Sequence, residues 1–223
     1  MAAYPIVVLL SGNGSNLQAI IDRVQQQQLA IDIKAVISDQ PNAYGLQRAQ
    51  QAHIPTEIIS PCDYTNKNDF NAALLTCIQK YHPQLVVLAG FMRILNSTII
   101  EAFPQRIINL HPSLLPKYRG LNTHARALAA GDHEHGTSVH IVVPELDAGP
   151  VLAQAKLTIN SKDTADTLRQ RVQQLEHQLY PIVLDWFANQ RIQCIKGQFW
   201  LDQCLLPSSG KQFTMKQLQQ VQI

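Results

Sequence analysis

Two five-residue runs without a polar side chain, Ile6–Leu10 and Leu85–Ala89, constrain the fold more than anything else in the 223-residue chain. A strand with one wet face alternates apolar and polar residues, whereas a strand that is apolar throughout must be covered on both faces, as in parallel sheets layered with helices. Helical and strand patterns alternate around these runs. After the first, Leu17, Ile20, Ile21 and Val24 recur at helical spacing. Ile31–Ser38 then reads as a strand, Tyr44–Ala52 as a helix, Thr56–Ile59 as a short strand, and Asp69–Tyr81 as a helix with Phe70, Ala73, Leu74, Cys77 and Ile78 inward. Ser97–Phe103 predicts a short helix, Arg106–Leu110 a central strand and Thr123–Ala130 another helix. The short turn between strands Thr137–Val143 and Val151–Ile159 favours an antiparallel pair, so the expected architecture is α/β: an open, twisted, mostly parallel but mixed sheet with helices on both faces. The longest helix starts near Thr164, with Leu168, Val172, Leu175, Leu179, Val183 and Trp186 on one face and Pro181 as a place for a kink. Arg191–Ile195 and Gln198–Leu201 read as a hairpin around Gly197, and the last ten residues, poor in apolar pattern, are expected to fray.

Composition narrows the function. A chain of this length buries roughly 70 to 75% of its unfolded surface, so a sizeable core is available. A formal charge of +2, with Lys and Arg scattered, argues against a nucleic-acid partner. Cys62, Cys77, Cys194 and Cys204 form no C-x-x-C pair, which disfavours a zinc ribbon or a disulfide-stapled secreted fold. Met1–Leu10 has no basic leader, and no stretch reaches the roughly 18 apolar residues of a spanning helix, so a cytoplasmic protein without membrane attachment is expected.

The chemistry gathers at a few polar residues in apolar surroundings. In INLHPSLLPKYRG, Ile108–Gly120, Asn109 and His111 lie two apart and so share one face of a strand that Pro112 ends. The carboxyl end of a parallel strand is where ligands bind in open α/β sheets. Asp147 lies downstream in PELDAGP, a tight turn marked by Pro144, Gly149 and Pro150. Amide, imidazole and carboxylate together can move a proton and hold a developing oxyanion, though a packed histidine and an Asx turn would use the same residues. The loop SGNGSN, Ser11–Asn16, lies between strand and helix, where glycines let backbone N–H groups approach a phosphate. Its spacing fits neither the dinucleotide fingerprint nor the Walker loop, and it serves equally as a turn in which Ser15 or Asn16 caps the helix. His133 and His135 flank Glu134 without a metal-ligand partner at suitable spacing and read as exposed loop, so no metal is expected. His140 alternates with apolar neighbours, as a cleft residue or a packed one would. Glu176 borders the buried face of the long helix, and Lys67 reads as surface charge.

Four ordered blocks, SGNGSNLQAII at Ser11–Ile21, LAGFMRIL at Leu88–Leu95, INLHPSLLPKYRG, and HGTSVH with ELDAGP between His135 and Pro150, together resemble the phosphoribosylglycinamide formyltransferases. The resemblance spans most of Pro5–Leu201. It implies a Rossmann-like formyltransferase fold and transfer of a formyl group from 10-formyltetrahydrofolate, as co-substrate, to the amine of 5-phosphoribosylglycinamide in purine synthesis. It implies Asn109, His111 and Asp147 as the catalytic trio, and Asn13, Gly14, Ser15, Asn16 and Glu176 as contacts of the phosphoribosylglycinamide. It places the folate against Lys67, where relatives often carry arginine, against Met92, Arg93, Ile94 and Leu95, and against Asn109, Val143 and Asp147. Asp147 is expected to raise the pKa of His111 and keep the ring charged. One domain over residues 1–201 is expected, with a phosphate-binding half at 1–103, a folate and catalytic half at 104–201, and a tail at 202–223. The partners are small molecules, and the chain is expected to be a monomer or a homodimer. The alternative is another 10-formyltetrahydrofolate-dependent formyltransferase or hydrolase, whose extra domains the length disfavours. A nucleotide-binding module without catalysis is the rival from a different class.

Overall fold

A computed structural model describes residues 3–221. The chain divides into two compact units, one ending at Asn109 and the other starting at Leu110.

In the first unit strands and helices alternate: β1 (Tyr4–Leu10), α1 (Ser15–Gln25), β2 (Ile31–Ser38), α2 (Tyr44–Gln51), β3 (Thr56–Ile58), α3 (Lys67–Lys80), β4 (Leu85–Leu88), α4 (Ser97–Ala102) and the start of β5 (Ile107–His111). The strand order is β5-β4-β1-β2-β3, every pair parallel. Ile6–Leu10 and Leu85–Val87 are fully buried, as strands without a polar residue require. Leu17, Ile20 and Ile21 form the inner face of α1, and Phe70, Leu74 and Ile78 that of α3. Each such aliphatic or aromatic side chain contributes about 1.5 to 3 kcal/mol when removed from water. Ala73 and Cys77, expected inward, lie at the border of that face and are half-buried. Helix α3 starts two residues ahead of the apolar pattern because the Asn66 side chain caps it, accepting from the Asn68 and Asp69 amides at 2.9 and 3.0 Å.

The second unit contains α5 (Thr123–Ala129), β6 (Glu134–Ile141), β7 (Val151–Thr158), α6 (Ala165–Ala188), β8 (Ile192–Ile195), β9 (Gln198–Leu201), β10 (Cys204–Leu205), β11 (Lys211–Thr214) and α7 (Met215–Gln220). Strands β6 and β7 pair antiparallel, so the sheet is mixed, and β8, β9 and β10 form a small antiparallel sheet. Helix α6 buries all six expected side chains from Leu168 to Trp186 and continues past Pro181 to Ala188. The expected fraying is overturned for residues 214–221, while 222 and 223 lie outside the described residues. Strand β11 adds parallel to β7, and α7 follows with a reciprocal cap between Thr214 and Gln217 and with Leu218 buried. Phe213, 6.2 Å from the Trp186 ring, anchors the strand. The Thr-x-x-Gln cap is the local signal that marks this helix, since the apolar pattern there is only two residues deep.

Candidate active site

The glycine loop in the first unit owes its shape to a close approach of two backbones. Gly14 precedes α1 in the left-handed region, φ 72°, and a Cβ there would lie 2.6 Å from Gly45 Cα. Conformation and contact both demand glycine at this position. No side chain caps α1, so the reading of Ser15 or Asn16 as its cap fails. Both residues are half-buried in its first turn, and Asn13 ahead of them is exposed. A helix start without a side-chain cap favours an anion, through its N–H groups and its dipole.

The segment that follows β4 is tied to the same loop. The Ser11 amide donates to the Gly90 carbonyl at 3.0 Å, and the Met92 amide donates to Ser11 Oγ at 2.9 Å. Met92 and Ile94 are 70% and 57% exposed, while Leu95 is buried. The Arg93 guanidinium is committed within the protein. Its Nε donates to Asp39 Oδ2 at 2.7 Å, and its carbon lies 5.5 Å from the centre of the Phe70 ring. Lys67 is exposed at the first position of α3, where a cation opposes the helix dipole and so does nothing for the helix. Asn109 is half-buried on β5, in register with Leu88 of β4.

In the second unit the imidazole and the carboxylate come together. His111, 6% exposed, ends β5, and its carbonyl accepts from Thr137 Oγ1 of β6 at 3.0 Å. Its Nε2 lies 2.9 Å from the Tyr118 carbonyl and its Nδ1 3.4 Å from Asp147 Oδ2. Asp147 is held in its turn at φ 49°, accepts from the Gly120 amide at 2.9 Å, and presents Oδ1 3.6 Å from His140 Nε2. The turn folds tightly against the end of β6, because a Cβ on Gly149 would lie 1.8 Å from the Ile141 carbonyl oxygen. Burial alone would raise the Asp147 pKa, but the His140 hydrogen bond, the Gly120 amide and the nearby imidazoles outweigh it and bring it down to about 2. The carboxylate is therefore ionised across the neutral range. His111 departs from expectation: burial holds its pKa below the usual 6.5, outweighing the Tyr118 carbonyl and the Asp147 charge that pull it up. The resting ring is neutral, and both its nitrogens face acceptors that favour a proton arriving during reaction.

Glu176 lies inside the buried face of α6, 9% exposed, not on its rim, and its charge helps raise the pKa of buried Tyr180 beyond the effect of burial. Val143 is half-buried just beyond β6. The expectation that His133 and His135 are exposed loop holds for His133 and fails for His135. Strand β6 begins at Glu134, three residues earlier than the apolar pattern shows, and buries His135 with its Nε2 3.1 Å from His124 Nδ1. Burial first, then the His124 charge, bring its pKa down to about 4. Among the described residues no three His, Cys, Asp or Glu side chains are placed to hold a metal ion. Sequence reasoning left His140 undecided between cleft and core, and its contact with Asp147 was legible only as a polar residue on a buried strand face.

Residues 4–184 match the family described as formyl transferase. The phosphoribosylglycinamide formyltransferase of Escherichia coli K12 is 47% identical over 205 residues, covering 92% of this chain and 97% of that protein. A solved phosphoribosylglycinamide formyltransferase from Coxiella burnetii is 54% identical with a TM-score of 0.91, over 95% of this chain and 99% of that one. The human trifunctional purine biosynthetic protein adenosine-3 is 37% identical over 188 residues, which are 84% of this chain and 19% of that protein. With its strand-end imidazole and carboxylate and its glycine loop set on the fold these proteins share, the chain belongs to the formyl transferase family.

Proposed function

We propose that this chain transfers the formyl group of 10-formyltetrahydrofolate to the amino group of 5-phosphoribosylglycinamide, releasing 5-phosphoribosyl-N-formylglycinamide and tetrahydrofolate in de novo purine synthesis. The observation that carries the reading is the buried His111–Asp147 pair, 3.4 Å apart, in a chain whose full-length relatives are named for this reaction. The substrate amine is itself the nucleophile, so no activated serine or cysteine is needed. As its nitrogen attacks the formyl carbon, the carbonyl oxygen becomes an oxyanion, which the Asn109 amide stabilises by donating a hydrogen bond. Neutral His111, its Nε2 exchanging the Tyr118 carbonyl for the substrate amine, takes the amine proton as general base, and Asp147, ionised throughout, stabilises the imidazolium so formed. The imidazolium returns the proton to N10 of the folate as the carbon–N10 bond breaks. The new amide and tetrahydrofolate leave with atoms and charge balanced.

The remaining roles follow from chemistry and resemblance. The loop residues Asn13, Gly14, Ser15 and Asn16 receive the phosphate, and Glu176 receives the amine end of the glycinamide. The segment Met92, Arg93, Ile94 and Leu95 lines the pterin through its backbone and apolar side chains, since Arg93 is engaged with Asp39. Asn109, Val143 and Asp147 contact the folate, and Lys67 meets its acidic end. The protein works in the cytoplasm on small molecules, as a monomer or homodimer, and no helix among the described residues is long and apolar enough to cross a membrane. Purified protein mixed with 10-formyltetrahydrofolate and phosphoribosylglycinamide is expected to produce the absorbance of the deformylated folate. Absence of that change with the ribonucleotide, together with its appearance on any other acceptor or on water, rejects the assignment.

A further inference from the structure

The glycine loop does not hold its shape by itself, because helix α2 is its back wall. The Gly45 amide, in the first turn of α2, donates to the Gly12 carbonyl at 3.0 Å. Gly45 has no room for a side chain: a Cβ would lie 2.5 Å from the Leu10 side chain, just as one on Gly14 would strike Gly45. One turn further along α2, Arg48 reaches over the loop. Its Nε donates to the Asn13 carbonyl at 2.9 Å, its Nη2 to Asn13 Oδ1 at 3.2 Å and its Nη1 to Gln18 Oε1 at 3.1 Å, while the guanidinium carbon lies 4.7 Å from the centre of the Tyr44 ring. A planar fork is the one cationic group able to make these three bonds and stack at the same time. It fixes Asn13, an otherwise exposed residue one position before the left-handed Gly14.

We propose that Arg48 is the positioning residue of the phosphate seat, holding the Asn13 peptide so that the backbone of Gly14 and Ser15 stays shaped for an anion. This rests on the reading of the loop as the seat of the ribonucleotide phosphate. The guanidinium acts through the loop, so its geometry matters more than its charge. Two substitutions separate these contributions. Arg48→Lys keeps the charge and loses the fork, whereas Arg48→Met loses both and keeps an apolar stem against Tyr44.

In steady-state kinetics on the full chain, the KM for phosphoribosylglycinamide is expected to rise about tenfold in both variants, the scale of one lost charge-assisted hydrogen bond. The kcat and the KM for 10-formyltetrahydrofolate are expected to stay within about twofold of the wild type. Wild-type KM values in Arg48→Lys overturn the proposal, and so does a joint fall of kcat with a rise of both KM values, which is the signature of a merely structural residue. Calorimetric titration of phosphoribosylglycinamide onto each protein, with no formyl donor present, makes the test independent of catalysis. A wild type that binds the ribonucleotide, with binding weakened in both Arg48 variants, yet transfers nothing refutes the proposed function and upholds this inference. A wild type that does not bind it overturns both.

Discussion

His111 is neutral at rest because it is buried, and its usefulness depends on the neighbour that makes a proton welcome. Both of its nitrogens face acceptors, the Tyr118 carbonyl and Asp147, and burial still wins. His111→Ala is therefore expected to lower kcat by roughly a hundred- to a ten-thousandfold, the range of a lost general base, with both substrates still binding by titration calorimetry. Asp147→Asn removes one of the attractions that pull the His111 pKa upward, so an NMR titration of the ring is expected to show that pKa falling further, alongside a loss of kcat. A ring that titrates higher in the variant refutes the electrostatic role given to Asp147. Gly149 tests the same carboxylate through its backbone. Gly149→Ala forces a Cβ against the Ile141 carbonyl and moves the turn, so it is expected to lower kcat with Asn109, His111 and Asp147 themselves unchanged.

At the scale of elements, an apolar stripe announces a helix and a run of β-branched residues announces a buried strand, but neither reports what the chain does where the stripe is thin. Helix α6 was legible because six inward residues recur over five turns, and that burial carries the helix past Pro181, whose ring removes one backbone donor. Strand β11 and helix α7 escaped the reading because Phe213 and Leu218 are the two buried side chains they offer. Leu218→Ala is expected to cost about 2 kcal/mol in urea-induced unfolding, the low end for a buried leucine in an element able to collapse around the gap. A change below about 0.5 kcal/mol would mean that α7 contributes nothing to the packing of its unit.

For the whole molecule the buried and half-buried imidazoles set the response to acid. His111, His124 and His135 all hold fewer protons folded than unfolded, His135 with a pKa of about 4 against the ordinary 6.5. Their contribution to stability is fully present above pH 6.5 and is lost as pH falls toward 4, because the unfolded chain takes up protons that the folded one refuses. The slope reaches at most about 1.4 kcal/mol per pH unit for each histidine. Asp147 adds a second loss in the same direction at lower pH, between 3.8 and about 2, as its carboxylate is forced to protonate. Thermal unfolding followed from pH 7.5 to 4 is expected to show a falling Tm, and His135→Gln is expected to flatten that fall. A Tm independent of pH over this range contradicts the burial of these rings.

The sequence by itself determined the order of strands and helices from β1 to β9, the glycine loop at the end of the first strand, and the strand-end pair Asn109 and His111, because each depends on residues close together in the chain and on the periods of helix and strand. Tertiary structure decided what distant residues do to one another: Asp147 reaching His111 and His140, Arg48 clasping Asn13, Arg93 held by Asp39, and His135 taken into β6. It also decided the charge of His111. A pKa is a balance between desolvation and neighbouring charge, and both are set by what the folded chain packs around the ring, which no local pattern of residues encodes.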